Sequence, residues 1–146
     1  MNPSLRTRLS TQKAAKNLGM DVMVMNFLGE GWNLETEHGV IMNGDNQEHI
    51  KEAAAVIGQY CDIVSIRSFP KFESRNDDYS EKLLNDFISY CGRPLVSLES
   101  STLHPLQSLA DLITITELKK VERPKVVLTW APHPRRLPQA VSNLSL

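Results

Sequence analysis

The chain has 146 residues, of which 41% are hydrophobic and 23% charged, and its formal net charge is −1 at pH 7. These values fit one globular domain with a core of its own. They give no reason to expect nucleic acid or an anionic membrane as a partner. No apolar run reaches the ~20 residues of a membrane span, and no signal peptide is recognisable, so we expect a cytoplasmic protein.

Hydrophobic period and chain-breaking residues predict an alternation of strands and helices. In chain order we predict a helix at 4–18, a strand at 21–26, a glycine-bearing loop at 27–46, helices at 48–60 and 80–91, strands at 62–67 and 94–98, a helix that Pro105 opens, and a strand at 125–130. This order indicates βαβ units, and therefore an α/β fold with a mostly parallel sheet flanked by helices on both faces.

Ligands of such folds bind beyond the carboxyl ends of the strands. Three chemically versatile side chains follow predicted strands: Arg67, His104 and His133. His104 precedes Pro105, and Gln107 lies one turn into the same helix, so both can face one ligand. A lone histidine is more often structural, and Arg67 has the alternative reading of a first solvated residue after a strand.

The segment Ser4-Leu5-Arg6-Thr7-Arg8 combines two hydroxyls and two guanidiniums at a helix start. Unpaired N–H groups and the helix dipole make such a start a seat for phosphate, and Arg6 adds a planar set of donors. The alternative is a serine cap followed by solvated arginines. Trp32, in the predicted loop, is either an anchor on its own domain or a contact to a ligand or partner.

Together these motifs resemble the aspartate and ornithine carbamoyltransferase superfamily. Ser4 to Arg8 match its S-x-R-T-R phosphate motif, His104 to Gln107 match its H-P-x-Q motif, and Arg67 falls between them in the expected order. Three further stretches, at 31–35, 40–45 and 129–134, resemble the branch that carbamoylates N-succinylornithine or N-acetylornithine in arginine biosynthesis.

The resemblance implies a trimer of two-domain subunits whose amino-terminal domain binds carbamoyl phosphate. Ser4, Arg6, Thr7 and the backbone N–H of Leu5 would bind the phosphate, and Arg67 would bridge phosphate and carbamoyl oxygen. His104 would also contact that oxygen, and Gln107 would accept from the carbamoyl amide. No metal or organic cofactor is implied. The residues that match catalytic positions are Arg67, His104 and Gln107.

Other positions match the acceptor site and the neighbouring subunit. In this branch a loop tryptophan reaches the carbamoyl-phosphate site of the next subunit, and Trp32 matches it. Positions near the acylornithine are matched by Glu99, His133, Gln47 and Asn143. At the position of Gln47 succinyl-type enzymes resemble a proline and acetyl-type enzymes a glutamate. A neutral Gln47 would not repel a succinyl carboxylate, so we expect the succinyl substrate to be preferred.

The match to the family is incomplete. The first strand and helix and the whole second domain of the family have no counterpart here, so we expect a piece of a longer protein with little turnover alone. We predict a carbamoyl-phosphate-binding domain at 1–123 and the beginning of the amino-acid-binding domain at 124–146. Alternatives are an ornithine or aspartate carbamoyltransferase, a non-catalytic phosphate- or nucleotide-binding module, and a module that serves only assembly.

Overall fold

The computed structural model describes residues 4–27, 32–70, 72–127 and 129. Its helices and strands are, in chain order, α1 (Leu5–Asn17), β1 (Leu34–Glu35), β2 (Glu48–His49), α2 (Ile50–Tyr60), β3 (Val64–Arg67), α3 (Arg75–Ser80), α4 (Lys82–Tyr90), β4 (Leu95–Glu99) and α5 (Pro105–Leu118). The α/β character that the sequence predicts is confirmed. None of the helices within these ranges is long and apolar enough to cross a membrane.

Parallel pairing organises the strands. β3 pairs with β4, and α3 and α4 form the connection between them, as in a βαβ unit. β1 pairs with β2, also in parallel. In the described part of the chain the pairs form two separate two-stranded sheets, where the sequence analysis expected one. The β1–β2 sheet packs against α2, and β4 packs against α4 and α5.

The hydrophobic core lies where β3 meets α2 and α4. Its buried members are Ile50, Ala54, Val64, Ile66, Phe87 and Cys91. The small residues of α2 let this helix approach α4 closely: a Cβ built on Gly58 would stand 2.0 Å from the backbone oxygen of Cys91. Only glycine fits at this crossing, and Arg93 fastens it by donating from Nε to the oxygen of Gly58 at 2.7 Å.

A helix that was not predicted precedes the helix predicted at 80–91. Residues 75–80, expected as a polar connection, form α3, capped by the Ser74 hydroxyl, which accepts from the N–H of Asp77 at 3.3 Å. Glu81 then takes the left-handed conformation, with φ at 52°, and separates α3 from α4. The expected helix at 80–91 therefore begins at Lys82. A left-handed backbone is unfavourable for a residue other than glycine.

Two strand predictions fail. Residues 21–26 are not paired into a sheet, and their apolar side chains are exposed, from 37% at Val22 to 68% at Met23. An apolar run becomes a strand only where a neighbour completes its hydrogen bonds, and the described residues offer it none. Residues 125–127 and 129 are also irregular, while the rest of the predicted strand at 125–130 lies outside the described residues.

Candidate functional site

The carboxyl ends of β3 and β4 bring an arginine and a glutamate together. A register shift after Ile66 places Arg67 opposite Glu99. The backbone N–H of Ser68 donates to the backbone oxygen of Glu99 at 2.8 Å. Both Nε and Nη2 of Arg67 contact Oε2 of Glu99, at 3.0 and 2.9 Å. Their side chains are only 12% and 7% exposed, so this is a largely buried ion pair.

The aromatic ring of Phe69 lies against the guanidinium of Arg67. Cζ of Arg67 lies 3.8 Å from the ring centroid of Phe69, two residues further along the chain. A guanidinium at this distance is attracted by the ring's negative face. The ring and the carboxylate together leave the side chain of Arg67 little conformational freedom. Donors that are fixed in this way can be aimed at one point.

His104 joins the same group from the start of α5. Its Nδ1 accepts from the backbone N–H of Gln107 at 3.3 Å, which caps the helix. Because Nδ1 is the acceptor, the neutral ring carries its hydrogen on Nε2. That nitrogen lies 3.7 Å from Oε2 of Glu99. Arg67 and His104 thus converge on one carboxylate oxygen, each presenting N–H donors.

The side chain of Gln107 points elsewhere. Its Nε2 donates to Oδ1 of Asp111 at 2.8 Å, one turn further along α5, and the residue is exposed. Among the predicted catalytic residues, the structure therefore brings Arg67 and His104 together and leaves the Gln107 amide on the helix surface.

The predicted phosphate seat has the geometry of a capped helix start. The Ser4 hydroxyl accepts from the N–H of Thr7 at 3.4 Å, and Thr7 in turn accepts from the Ser10 hydroxyl at 3.1 Å. No side chain of α1 is buried, so Leu5 and Arg6 lie exposed on its first turn. A pocket shared by this turn with Arg67 and His104 stays a prediction.

Trp32 and Gln47 form a second group, at the β1–β2 sheet. Nε1 of Trp32 donates to Oε2 of Glu48 at 3.1 Å, and Oε1 of Gln47 accepts from the N–H of Asn33 at 2.6 Å. The Trp32 side chain remains 47% exposed. An open cleft of about 550 Å³ lies beside this group. Its lining includes Gln47, Glu48, His49, Lys51 and Tyr90.

Glu99 was placed by resemblance near the acylornithine, yet its described contacts are with Arg67 and His104. The pairing of Arg67 with Glu99 was not predicted, although the two opposite charges stand at the ends of adjacent predicted strands. Sequence reasoning missed Phe69 and Glu81. His133 and Asn143 lie outside the described residues. Within those residues, no three His, Cys, Asp or Glu side chains are arranged to hold a metal ion.

Comparison with known proteins identifies the family. The model of the carbamoyl-phosphate binding domain of aspartate/ornithine carbamoyltransferases matches residues 1–117. The N-succinylornithine carbamoyltransferase of Bacteroides thetaiotaomicron is 66% identical over 142 residues, which are 97% of this chain and 45% of that protein. The N-acetylornithine carbamoyltransferase of Xanthomonas axonopodis pv. citri is 38% identical over 148 residues, covering 99% of this chain and 43% of the relative.

Solved structures agree with this assignment. Acetylornithine transcarbamylase complexed with acetylcitrulline superposes with a TM-score of 0.76 at 38% identity, covering 80% of this chain and 34% of that one. A variant of N-acetyl-L-ornithine transcarbamylase complexed with carbamyl phosphate and N-succinyl-L-norvaline gives 0.75 at the same identity. The chain spans less than half the length of these relatives. It belongs to the aspartate/ornithine carbamoyltransferase family, of which it carries the carbamoyl-phosphate binding domain.

Proposed function

We propose that this chain supplies the carbamoyl-phosphate site of an enzyme that carbamoylates the side-chain amine of an N-acylornithine. The products are an N-acylcitrulline and phosphate, and the setting is arginine biosynthesis in the cytoplasm. The relatives named N-succinylornithine and N-acetylornithine carbamoyltransferase support the acceptor class. The higher identity of the former, 66% against 38%, supports succinyl as the preferred acyl group.

The observation that carries the proposal is the convergence of Arg67 and His104 at the ends of β3 and β4. The neutral amine attacks the carbonyl carbon of carbamoyl phosphate, and negative charge grows on the carbonyl oxygen. The N–H groups of Arg67 and the Nε2–H of His104 are the donors we assign to that oxygen. As the bond to phosphate breaks, the departing phosphate takes up the charge and the proton that the attacking nitrogen gives up, and Arg67 bridges both groups. Before substrate arrives, the Glu99 carboxylate is the partner of these donors, and the ligand takes its place.

The phosphate itself is assigned to the start of α1. Ser4, Leu5, Arg6 and Thr7 offer two hydroxyls, backbone N–H groups and a guanidinium on one exposed turn. The positive end of the helix dipole favours an anion here. Gln107 is assigned to the carbamoyl amide. For that role its side chain must exchange Asp111 for the ligand, a rotation that its exposed position allows.

We further propose a homotrimer in which Trp32 reaches the carbamoyl-phosphate site of the neighbouring subunit and Gln47 contacts the acylornithine. They lie beside a different sheet from that of Arg67, just before β1 and β2, and the indole is half exposed. Gln47 is neutral, so it imposes no charge repulsion on a succinyl carboxylate. His133 and Asn143 remain assigned to the acylornithine by resemblance. The proposed limits are 1–123 for the carbamoyl-phosphate-binding domain and 124–146 for the start of the next.

Carbamoyl-phosphate binding to the chain is the test, measured by isothermal titration calorimetry with Arg67→Gln. Removing a guanidinium that bonds an anion is expected to weaken binding by at least about tenfold. Arg75→Gln is the matched control, because Arg75 is exposed and lies over Tyr79. Equal affinities of Arg67→Gln and the wild type would contradict the proposal.

The acceptor is tested separately, on the full-length protein, by assaying transfer with N-succinylornithine, N-acetylornithine and ornithine at equal concentration. We expect N-acylcitrulline formation, fastest with the succinyl compound, and no citrulline from ornithine. A preference for ornithine would overturn the assignment of the acceptor while leaving the carbamoyl-phosphate site intact.

A further inference from the structure

The carboxylate of Glu81 is surrounded by donors from the turn that precedes His104. The Ser100 hydroxyl donates to its Oε1 at 2.7 Å, and the backbone N–H and hydroxyl of Thr102 donate to the same oxygen at 2.8 and 2.5 Å. The N–H of Ser101 reaches Oε2 at 3.3 Å. Glu81, at the α3–α4 junction, thus accepts hydrogen bonds from three of the four residues 100–103, called here the 100–103 turn.

This turn is short and internally closed. The N–H of Ser100 donates to the oxygen of Leu103 at 2.8 Å, and the N–H of Leu103 donates to the Ser100 hydroxyl at 3.2 Å. Ser100 and Ser101 are only 1% and 7% exposed, so their polar groups need protein partners. The Glu81 carboxylate provides them.

The position of the turn gives Glu81 a link to the site. The turn joins Glu99, at the end of β4, to His104, at the start of α5. The two residues that it joins are the carboxylate and the imidazole that meet at 3.7 Å. A change in the shape of the turn changes the distance and angle at which His104 stands to Arg67 and Glu99.

The backbone of Glu81 points to the same role. Its φ of 52° and ψ of 32° lie in the left-handed region, which is unfavourable for a residue with a long side chain. Glycine is the residue normally found there. A glutamate at such a position is explained by what its side chain does, and its recorded contacts are with the 100–103 turn.

We infer that Glu81 is a positioning residue, whose carboxylate shapes the 100–103 turn and thereby sets the orientation of His104. The inference rests on the proposed carbamoyl-phosphate site for its functional consequence, but its structural half stands independently. Glu81 contacts no substrate in this scheme. Its carboxylate holds the turn, and the turn holds the Nε2–H donor of His104 in place before the ligand binds.

The test compares Glu81→Gln and Glu81→Gly with Glu117→Gln, which removes the same charge from an exposed position on α5. Glu81→Gln replaces a carboxylate, whose two oxygens accept hydrogen bonds from four donors, with an amide. The amide keeps one accepting oxygen, but its nitrogen is itself a donor. Glu81→Gly also removes the carboxylate, but it suits the left-handed backbone, so it keeps the helix junction intact. Circular dichroism first confirms that each variant is folded.

Nuclear magnetic resonance then follows the amide hydrogens of Ser101 and Thr102 and the ring nitrogens of His104, and calorimetry follows carbamoyl-phosphate binding. In both Glu81 variants we expect amide exchange at the turn to accelerate, the His104 signals to shift, and the dissociation constant to rise about tenfold. Glu117→Gln is expected to resemble the wild type in all three.

Unchanged turn exchange in a folded Glu81 variant would overturn the inference. So would faster exchange with unmoved His104 signals, because the turn would then not control the imidazole. If the wild type binds no carbamoyl phosphate, the proposed function fails, but the exchange rates and His104 signals still decide the role of Glu81.

Discussion

Glu99 is the residue on which the site geometry depends, because one of its oxygens is shared by Arg67 and His104. In the absence of carbamoyl phosphate it neutralises a guanidinium that is only 12% exposed. An uncompensated charge at such depth is costly, while a phosphate can replace the carboxylate as partner. The Arg67 guanidinium therefore has two alternative partners. The Glu99 carboxylate stabilises the free chain, and a bound anion must displace it.

Glu99→Gln is expected to lower the free energy of unfolding by about 3 kcal/mol, because Arg67 loses the charge that balances it. Carbamoyl-phosphate affinity is expected to be kept or increased, since the ligand no longer displaces a carboxylate. Urea denaturation and calorimetry measure the two quantities. Glu52→Gln is the control: its carboxylate is 61% exposed and pairs with His49 at 3.5 Å, where the cost is small. A loss of both stability and affinity would contradict this account.

A second carboxylate gives a pH dependence. The N–H of Glu37 and then the amide of Asn46, each at 2.8 Å, hold the pKa of Glu35 below its ordinary value. Because the pKa is lower in the folded state, the stabilisation exists above the unfolded pKa and disappears as pH falls through the folded pKa. We expect Glu35→Gln to be less stable than wild type at neutral pH.

That difference is expected to vanish in acid, below the folded pKa of Glu35. Urea midpoints measured from neutral pH downward, with Glu117→Gln as the control for removing one charge, check this. A difference that stays constant across the titration would contradict the role of the two donors.

Between elements, α2 approaches the end of α4 closely at Gly58. Gly58→Ala is expected to reduce stability by about 3 kcal/mol, because its Cβ would stand 2.0 Å from the backbone oxygen of Cys91. Gly44→Ala is the matched control, since nothing lies within 4 Å of its Cβ. The two variants are compared by thermal and urea denaturation. Equal stabilities would mean that the helices separate at little cost.

The sequence predicts the elements whose hydrophobic pattern and pairing coincide. Strands expected at 62–67 and 94–98 appear as β3 and β4, and Pro105 begins α5. The failures concern interactions that are not local. Residues 21–26 have an apolar pattern but no neighbouring strand in the described part, and Glu81 interrupts a helical pattern to reach a turn 19 to 21 residues away.

The sequence likewise predicts part of the candidate site and misses the contacts that are not local. Arg67 and His104 were found from their places after strands, because strand ends meet at one edge of a parallel sheet. The pairing of Arg67 with Glu99 depends on a register shift after Ile66, which no periodicity in the sequence indicates. The role of Glu81 depends on a left-handed backbone that glycine would ordinarily occupy.

At the scale of the whole molecule, the two groups of site residues lie beside different sheets. Arg67 ends β3 and His104 caps α5, which follows β4, whereas Trp32 and Gln47 lie just before β1 and β2. If a cyclic trimer is correct, each complete site takes Arg67 and His104 from one subunit and Trp32 from its neighbour. This arrangement makes two inactive variants able to restore each other.

Trp32→Ala and Arg67→Ala are each expected to bind carbamoyl phosphate weakly. When they are unfolded, mixed in equal amounts and refolded, about a quarter of the sites are expected to combine an intact Arg67 with an intact neighbouring Trp32. Calorimetry measures this fraction as recovered tight binding, and each variant refolded alone is the control. If Trp32 serves its own subunit, every mixed site still lacks one group and no tight binding returns. A monomer gives the same null result, so recovery requires a site that is shared between subunits.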